Sequence, residues 1–384
     1  MELNLPKYVS DSLITIENAG FEAFCVGGAV RDLIMGLIPS DYDIATNAEP
    51  EIIMSIFPKT VPTGIRHGTV TVVTPHGNIE VTTYRTEGGY SNHRAPDNVH
   101  FVKSINDDLK RRDFTVNAIC FNLKSGIFDP ENGLDDIKSN TLRCIGNPNE
   151  RFFDDALRIM RLFRFSAQLG FNIENDSLES AIRLSYLLES ISVERIFVEL
   201  KKAITSKQPD ALSPLLFSGA LEFLGLNATK IPNVINQLIS DFSLRFSVLC
   251  HLFNTEAVSV LKNLKADNQT IDSVKIYTKL LNLPTITTKS ELKRSLKFCS
   301  IEHIKGLFNY YNVLGTDISF LTKTLTEIAE NKEPYLINHL AITGNDLIKS
   351  GFSGPEIGET LNRLLEIVIE NPEQNHKENL LKLI

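Results

Sequence analysis

Over roughly the first 145 residues, apolar and polar positions follow one another in short runs closed by tight turns, and from Glu150 onward the apolar spacing lengthens to a helical period. Phe24-Cys25-Val26 predicts a strand that stops at Gly27-Gly28. A short helix follows, and Ser40-Asp41-Tyr42-Asp43-Ile44-Ala45-Thr46 predicts a second strand. Gly68-Thr69-Val70-Thr71-Val72-Val73 and Asn78-Ile79-Glu80-Val81-Thr82-Thr83-Tyr84-Arg85 alternate like the two arms of a hairpin across Thr74-Pro75-His76-Gly77. Arg112-Asp113-Phe114-Thr115-Val116-Asn117-Ala118 then leads into a further apolar run. The helical region breaks at Lys207-Gln208-Pro209-Asp210, Asn282-Leu283-Pro284-Thr285 and Asn331-Lys332-Glu333-Pro334. This order predicts an α+β protein, a mixed-sheet head joined to a helical body, without internal repeats or low-complexity segments.

Composition narrows the class without changing the architecture. The 384 residues, 42% of them apolar, suffice for two or three compact units with real cores. No apolar run is long enough to span a bilayer, and Met1-Glu2-Leu3-Asn4-Leu5-Pro6 lacks the regions of a signal peptide, so the expected location is the cytoplasm. Five cysteines (Cys25, Cys120, Cys144, Cys250, Cys299) show no C-x-x-C spacing and read as small core residues. A net charge of −8 speaks superficially against a nucleic-acid partner. Yet Lys110-Arg111-Arg112 and the series Arg151, Arg158, Arg161, Arg164 gather positive charge in the same half as the two aspartates. A solvated basic face would carry acidic partners at i+4, and none follows Asp155 through Arg164.

In a strand, side chains at i and i+2 share a face, so Asp41 and Asp43 present two carboxylates with Cα atoms ~6.5 Å apart. Such an all-oxygen pair suits two Mg²⁺ ions in phosphoryl or nucleotidyl transfer. Glu80, on the hairpin arm, can join them on the same sheet, and three gathered carboxylates are costly unless cations neutralise them. The Gly27-Gly28 turn at a helix start, with Arg31 one turn on, offers backbone N–H groups to a triphosphate. His67, His76, His93 and His100 lie on separate turns without i+3 or i+4 pairing and read as solvated loop residues. Neither a Walker A sequence nor a paired His-Asp cluster of the phosphohydrolase type is found.

Gly27-Gly28-x-x-Arg31-Asp32, Asp41-x-Asp43, Arg111-Arg112-Asp113-Phe114-Thr115 with Asn117-Ala118, and Asp155-x-x-Arg158 occur in that order. With these motifs the chain resembles the bacterial class II tRNA nucleotidyltransferases, closely over about the first 210 residues and more loosely beyond. The resemblance implies a polymerase-β-like nucleotidyltransferase head over residues 1–147, a helical neck over 148–210, a helical body over 211–290 and a tRNA-binding helical tail over 291–384. It implies addition of CMP and AMP from CTP and ATP to the 3′ end of tRNA without a nucleic acid template. Asp41 and Asp43 would bind the catalytic Mg²⁺ ions, with Glu80 as the additional carboxylate. Gly27, Gly28 and Arg31 would contact the incoming nucleotide and Arg112 its sugar or phosphates. Asp155 and Arg158, one helical turn apart, would read the base edge, with Arg161 and Arg164 nearby. Asp155 can accept from the exocyclic amine that cytosine and adenine share, and Arg158 can donate to ring acceptors. Where the family usually has Glu before that aspartate, this chain has Asp154.

Residues 86–97 read as a mobile loop, and the resemblance implies that it helps the pocket pass from CTP to ATP. Many relatives carry Asp where this chain has Asn92, so any pairing with Arg94 is lost or moved to Asp97. CC-only relatives have a shortened loop, whereas here it has full length, which points to addition of the terminal adenosine. Helices introduced by Gly344-Asn345-Asp346 and by residues 351–358 either grip tRNA phosphates or simply carry caps, and Lys293, Arg294 and Lys297 tilt the balance toward RNA. The alternatives are an A-adding enzyme, a poly(A) polymerase, whose usual basic C-terminal extension has no counterpart after His376-Lys377, and a non-catalytic RNA-binding relative. Neither a membrane nor a protein partner is implied.

Overall fold

The computed structural model describes residues 3–88 and 98–384 and divides into two compact units, Met1–Phe223 and Leu224–Ile384. The first unit begins with α1 (Lys7–Asn18), β1 (Ala23–Val26), α2 (Gly28–Ile34), β2 (Tyr42–Thr46) and α3 (Pro50–Ile56). Then come β3 (Thr60–Gly64) and the hairpin β4 (Thr69–Thr74) and β5 (Gly77–Thr83), which turns where Thr-Pro-His-Gly predicts it. Two further strands, β6 (Arg85–Gly88) and β7 (Asn98–Phe101), precede α4 (Ile105–Lys110), β8 (Cys120–Asn122), β9 (Gly126–Phe128) and α5 (Gly133–Lys138). The main sheet runs β3-β4-β5-β2-β1-β8-β9, parallel between β2 and β5 and antiparallel at every other step.

Strand alternation gives this sheet two different faces. Tyr42, Ile44, Ile79 and Val81 point into a core closed by Val9, Leu13 and Ile16 of α1. Ala45 turns the other way and packs with Val26, Tyr84, Leu109, Cys120 and Ile145. Asp43 shares the side of Ala45, so its carboxylate emerges at the open end of that second face. Cys25, Cys120, Cys144 and Cys250 are buried, as small core residues should be, and Cys299 is half-buried.

One expectation needs correcting here. Thr86 to Gly88 do not belong to a loop but form β6, which pairs with β7 as a separate two-stranded ribbon, Arg85 opposite Phe101 and Gly88 opposite Asn98. The alternation of Arg85-Thr86-Glu87 is too short to announce a strand. The rest of that reading, with Asn92, Arg94 and Asp97, lies outside the described residues.

After the sheet, α6 (Pro148–Asp154), α7 (Leu157–Leu169), α8 (Asn175–Arg183) and α9 (Val193–Ile204) complete the first unit. The turn at Pro209–Leu212 packs on α7, so residues past 210 still belong to this unit, which ends at Phe223. In the second unit the helices Phe242–Leu252, Asn268–Leu281 and Ile301–Val313 pack in succession. The helix Lys289–Leu296 packs against Ser319–Glu330 and Pro355–Glu370. Helix ends at Leu281 and Glu330 fall where the Asn- and Pro-containing breaks place them. Among the described residues no helix is long and apolar enough to cross a membrane.

Lys293, Arg294 and Lys297 of the tail all have carboxylate partners, and one of them is buried. Lys293 is fully buried with its Nζ 2.7 Å from Glu333 Oε2, and Glu333 also binds Lys289. Arg294 Nε lies 2.8 Å from Glu366 and its Nη2 2.5 Å from Glu370, while Lys297 binds Glu366 at 2.9 Å. Their acidic partners sit 40 or more positions along the chain, beyond any helical spacing rule. Helix Gly344–Lys349 is closed by Thr343, whose N–H and Oγ1 donate to Asp346 Oδ2 at 3.0 and 2.8 Å, as a plain cap would be. Because truncation leaves a carboxylate half-partnered in a buried setting, Lys293→Ala is expected to destabilise the second unit by about 3 kcal/mol. Chemical denaturation read from that unit checks it, and a loss under about 1 kcal/mol would mean Lys289 alone satisfies Glu333.

Candidate active site

Two adjacent strands carry the acidic half of the site. The parallel register of β2 and β5 places Glu80 opposite Asp43. Asp41 lies immediately before β2 rather than inside it, because Ser40 and Asp41 follow Pro39 in irregular backbone, yet it still lines the cleft beside Asp43. Glu80 is exposed and stands next to the cleft lining instead of within it. Burial pushes the Asp43 carboxyl up to about 6; Arg112 pulls against that rise, and the charges of Glu80 and Asp41 add to it. Among the described residues no three acidic, His or Cys side chains close into a metal cage. What remains is an open, crowded, all-oxygen set. It fits a hard divalent cation that keeps positions for water and phosphate oxygens.

Opposite the carboxylates, Gly27 ends β1 and caps α2 with φ 74° and ψ −138°, a conformation that disfavours any side chain. A Cβ there would lie 3.1 Å from Arg112 Nη1. From this turn a continuous network crosses the cleft wall. Arg31 is buried; its Nε and Nη2 donate to Asp32 Oδ1 at 2.9 and 2.6 Å, and its Nη1 donates to Asn117 Oδ1 at 2.6 Å. Asn117 Nδ2 in turn donates to Asp113 Oδ1 at 3.1 Å, and Arg161 Nε and Nη2 donate to Asp113 Oδ2 at 2.8 and 2.5 Å.

Burial would raise the Asp113 carboxyl, but the charge of Arg161, the bonds from Asn117 and Arg161, and then the charge of Arg158 hold it at about 2. Its folded value lies below the unfolded one of 3.8, so the stability it contributes is complete above 3.8 and disappears as pH falls through about 2. Asp113→Asn is therefore expected to cost on the order of 2 kcal/mol at neutral pH. Unfolding followed from pH 7 to pH 3 should show the gap to wild type narrowing at the acid end. A gap that is constant with pH would assign the loss to packing instead.

Asp108 of α4 plays the same part for the arginine pair. Arg111 Nη2 and Nε donate to its Oδ1 at 2.8 and 3.0 Å, and Arg112 Nη2 donates to its Oδ2 at 3.2 Å. The N–H of Arg85, at the root of the ribbon, donates to the same Oδ1 at 3.2 Å. Among the described residues Arg112 Nε is buried without a hydrogen-bond partner.

The basic helix differs from its expected form at its start. Asn147 caps α6 by accepting from Asn149 N–H, and that helix stops at Asp154; Asp155 is extended, with φ −131° and ψ 99°. Arg158 N–H still donates to Asp155 O at 3.0 Å, so the two are one turn apart, but Asp155 does not sit within a helix. Asp155 Oδ1 instead accepts from Leu157 N–H at 3.2 Å and starts α7. The apolar stretch after it hides the break from a periodicity reading. Burial raises the Asp155 carboxyl, against the pull of Arg195 and Arg158. Arg158 is buried and donates to the carbonyls of Arg111 and Arg151 at 3.0 and 3.4 Å. Arg164 is buried, paired with Glu199, and stacks 3.6 Å from the centre of the Phe165 ring.

One cleft of about 940 Å³ brings together Gly27, Gly28, Arg31, Asp41, Asp43, Arg112, Asp155, Arg158, Arg161 and Arg164. His67, which reads from sequence as a solvated loop residue, also lines it, as do Arg85, Phe165 of α7 and Arg195 and Lys202 of α9, to which the sequence assigns no role in the site. A signal existed for α9: Arg195, Glu199 and Lys202 stand at i, i+4 and i+7 and form one charged stripe.

Comparison with known proteins agrees with this geometry. Residues 23–143 match the family model of the poly A polymerase head domain. Residues 170–225 match the RNA and SrmB-binding site of polymerase A, and residues 240–384 match tRNA nucleotidyltransferase domain 2. The CCA-adding enzyme of Ligilactobacillus salivarius is 36% identical over 402 residues, covering 99% of this chain and 96% of its own length. That of Anoxybacillus flavithermus is 36% identical, with 95% and 93% covered. The crystal structure of the Bacillus stearothermophilus CCA-adding enzyme in complex with CTP superposes with a TM-score of 0.87 at 31% identity, covering 99% of this chain and 98% of its own. The Thermotoga maritima enzyme complexed with tRNA, at 22% identity and a TM-score of 0.71, shares the fold. Identity across nearly the whole length, together with the carboxylates and arginines gathered in one cleft, places the chain in the family of CCA-adding enzymes, which are tRNA nucleotidyltransferases.

Proposed function

We propose that this protein adds CMP and AMP, from CTP and ATP, to the 3′ end of tRNA without a nucleic acid template, releasing pyrophosphate at each step. The observation that carries the reading is a cleft lined by Asp41 and Asp43 on one side and by the arginine helix α7 on another, with Glu80 in register with Asp43 at its edge. Asp41 and Asp43 hold divalent metal, with Mg²⁺ the ion that fits carboxylate oxygens and triphosphate best, and Glu80 adds a third negative charge beside them. The bound cation supplies activation of the attacking 3′-hydroxyl and charge stabilisation at the leaving oxygen. Gly28 presents its backbone N–H at the start of α2, Gly27, whose own N–H donates to Ile119 O at 3.3 Å, keeps the turn clear of a side chain, and Arg31, oriented by Asp32 and Asn117, faces the triphosphate. Arg112, oriented by Asp108, lines the cleft and offers its guanidinium to a sugar or phosphate oxygen. Asp155 accepts from the amine common to cytosine and adenine, and Arg158 donates to the ring acceptor next to it. Uracil and guanine offer the reverse pattern at that edge. Arg161 and Arg164, neutralised by Asp113 and Glu199, keep α7 in place as the wall of the base seat. Head, neck, body and tail are read as residues 1–147, 148–210, 211–290 and 291–384, although the first compact unit runs on to Phe223, and the reaction is read as cytoplasmic.

Transcripts ending at the discriminator base, at C and at CC, given CTP, ATP or both and sized on a gel, test the proposal. Completion of all three is the expected result. Extension of the CC-ending transcript alone would make the protein an A-adding enzyme, long adenosine tracts on unstructured RNA would make it a poly(A) polymerase, and no extension at all would overturn the reading.

A further inference from the structure

The carboxylate proposed to accept from the nucleotide base is not held by the arginine that shares its motif. Arg158 spends its Nη atoms on the carbonyls of Arg111 and Arg151. The ion partner of Asp155 comes from α9: Arg195 Nη2 lies 3.6 Å from Asp155 Oδ2, while Oδ1 accepts from Leu157 N–H at 3.2 Å. Each carboxylate oxygen thus has one contact from the protein, on different elements. This arrangement matters because Asp155 sits in the extended link between α6 and α7, where its backbone is tied to Arg151 O and to Arg158 N–H but its carboxylate depends on its own two contacts. A carboxylate in such a link is free to rotate unless both oxygens are held, and a base reader that rotates does not read.

The rest of α9 is built to keep Arg195 there. α9 packs along α7, and one helical turn after Arg195 the buried Glu199 pairs with the buried Arg164 of α7. Two ion pairs of opposite polarity, Arg195 to Asp155 and Glu199 to Arg164, therefore join the helices on the same stripe. Reversal of sign between them fixes the register, since sliding α9 by a turn would set like charges together. Arg195 has about a third of its side chain exposed and lines the cleft, so it meets the nucleotide space as well as Asp155.

We infer that Arg195 is a positioning residue for base selection: it acts through Asp155, holding the carboxylate in the rotation that accepts from the cytosine or adenine amine. The inference rests on the proposed reading of the site as a CCA-adding centre. It concerns selectivity and substrate binding, and leaves the chemistry at the aspartate pair untouched.

A double-mutant cycle tests it with the full chain and a tRNA transcript ending at the discriminator base. The quantity read is the kcat/KM for CTP divided by that for UTP, in wild type, Arg195→Ala, Asp155→Asn and the double variant. Arg195→Ala is expected to lower the ratio about tenfold, chiefly through KM for CTP, and to add nothing further in the Asp155→Asn background. Arg195→Lys, which keeps the charge but loses the planar fork, should recover only part of the ratio and serves in place of the alanine variant if that one unfolds. Equal losses for CTP and UTP, or losses that multiply in the double variant, would overturn the inference. Failure of wild type to extend the transcript at all is a different result, and would count against the CCA reading instead.

Discussion

Asp43→Ala is expected to lower nucleotide transfer by about a thousandfold or more, and Asp41→Ala to do the same, because either change removes an oxygen donor from the cation that stabilises both ends of the displacement. Stability should move the other way. The Asp43 carboxyl is pushed up to about 6 by burial and by its acidic neighbours, so its folded value lies above the ordinary one. At pH 7 it is ionised at a cost to the fold; that cost shrinks as pH falls below about 6, where the folded carboxyl takes up its proton, and is gone near the ordinary value of 3.8. Without bound metal, Asp43→Ala should therefore melt at or above the wild-type temperature at pH 7. Millimolar Mg²⁺ should raise the wild-type Tm and leave the variant where it is. Incorporation of labelled ATP on a CC-ending tRNA provides the activity measurement. A variant that keeps more than about a tenth of wild-type turnover would remove Asp41 or Asp43 from the metal site.

Arg158→Ala is expected to cost ~1.5–3 kcal/mol in kcat/KM for CTP and ATP, roughly tenfold to more than a hundredfold, and to relax discrimination against UTP and GTP. The guanidinium is buried and bridges the carbonyls of Arg111 and Arg151, so the arginine also ties the start of α7 to the arginine pair. Lysine should not restore discrimination, because a single ammonium cannot serve two carbonyls and a base edge in one plane. A melting curve separates the two roles. If all four nucleotides fall by one factor while Tm drops, Arg158 holds the cleft together and does not read the base.

Several parts of this site stand openly in the sequence. The Gly27-Gly28 turn, the aspartate pair and the hairpin that brings Glu80 alongside are short-range patterns, and the sheet places them as alternation requires. Long-range partners are another matter. That Arg161 meets Asp113, that Arg164 meets Glu199 and that Lys293 is buried against Glu333 depends on which helices touch, and no spacing rule carries that information. The same blindness made tail lysines look available to RNA when carboxylates already hold them. At Asp155 the failure is local. Asp-Ala-Leu-Arg has good helix propensity, whereas the Asp155 side chain accepts from Leu157 N–H and its backbone is extended, so composition favours a continuity that this one residue interrupts.

The ribbon of β6 and β7 is hydrogen-bonded apart from the seven-stranded sheet, and everything from residue 89 to residue 97 departs from and returns to its two ends. Such a stem works as an insertion point. Residues added or removed between the two strands shift no register among the strands that carry Asp43 and Glu80, so this segment can change length over evolution, or be exchanged between relatives in the laboratory, without refolding the head. The stem is not insulated from chemistry, however. Its root donates to Asp108, the carboxylate that also orients Arg111 and Arg112, so a graft that twists the ribbon would be felt first at that arginine pair rather than at Asp43. Chimeras made at Gly88 and Asn98 should therefore sort by their nucleotide KM, with the sheet serving as a common chassis.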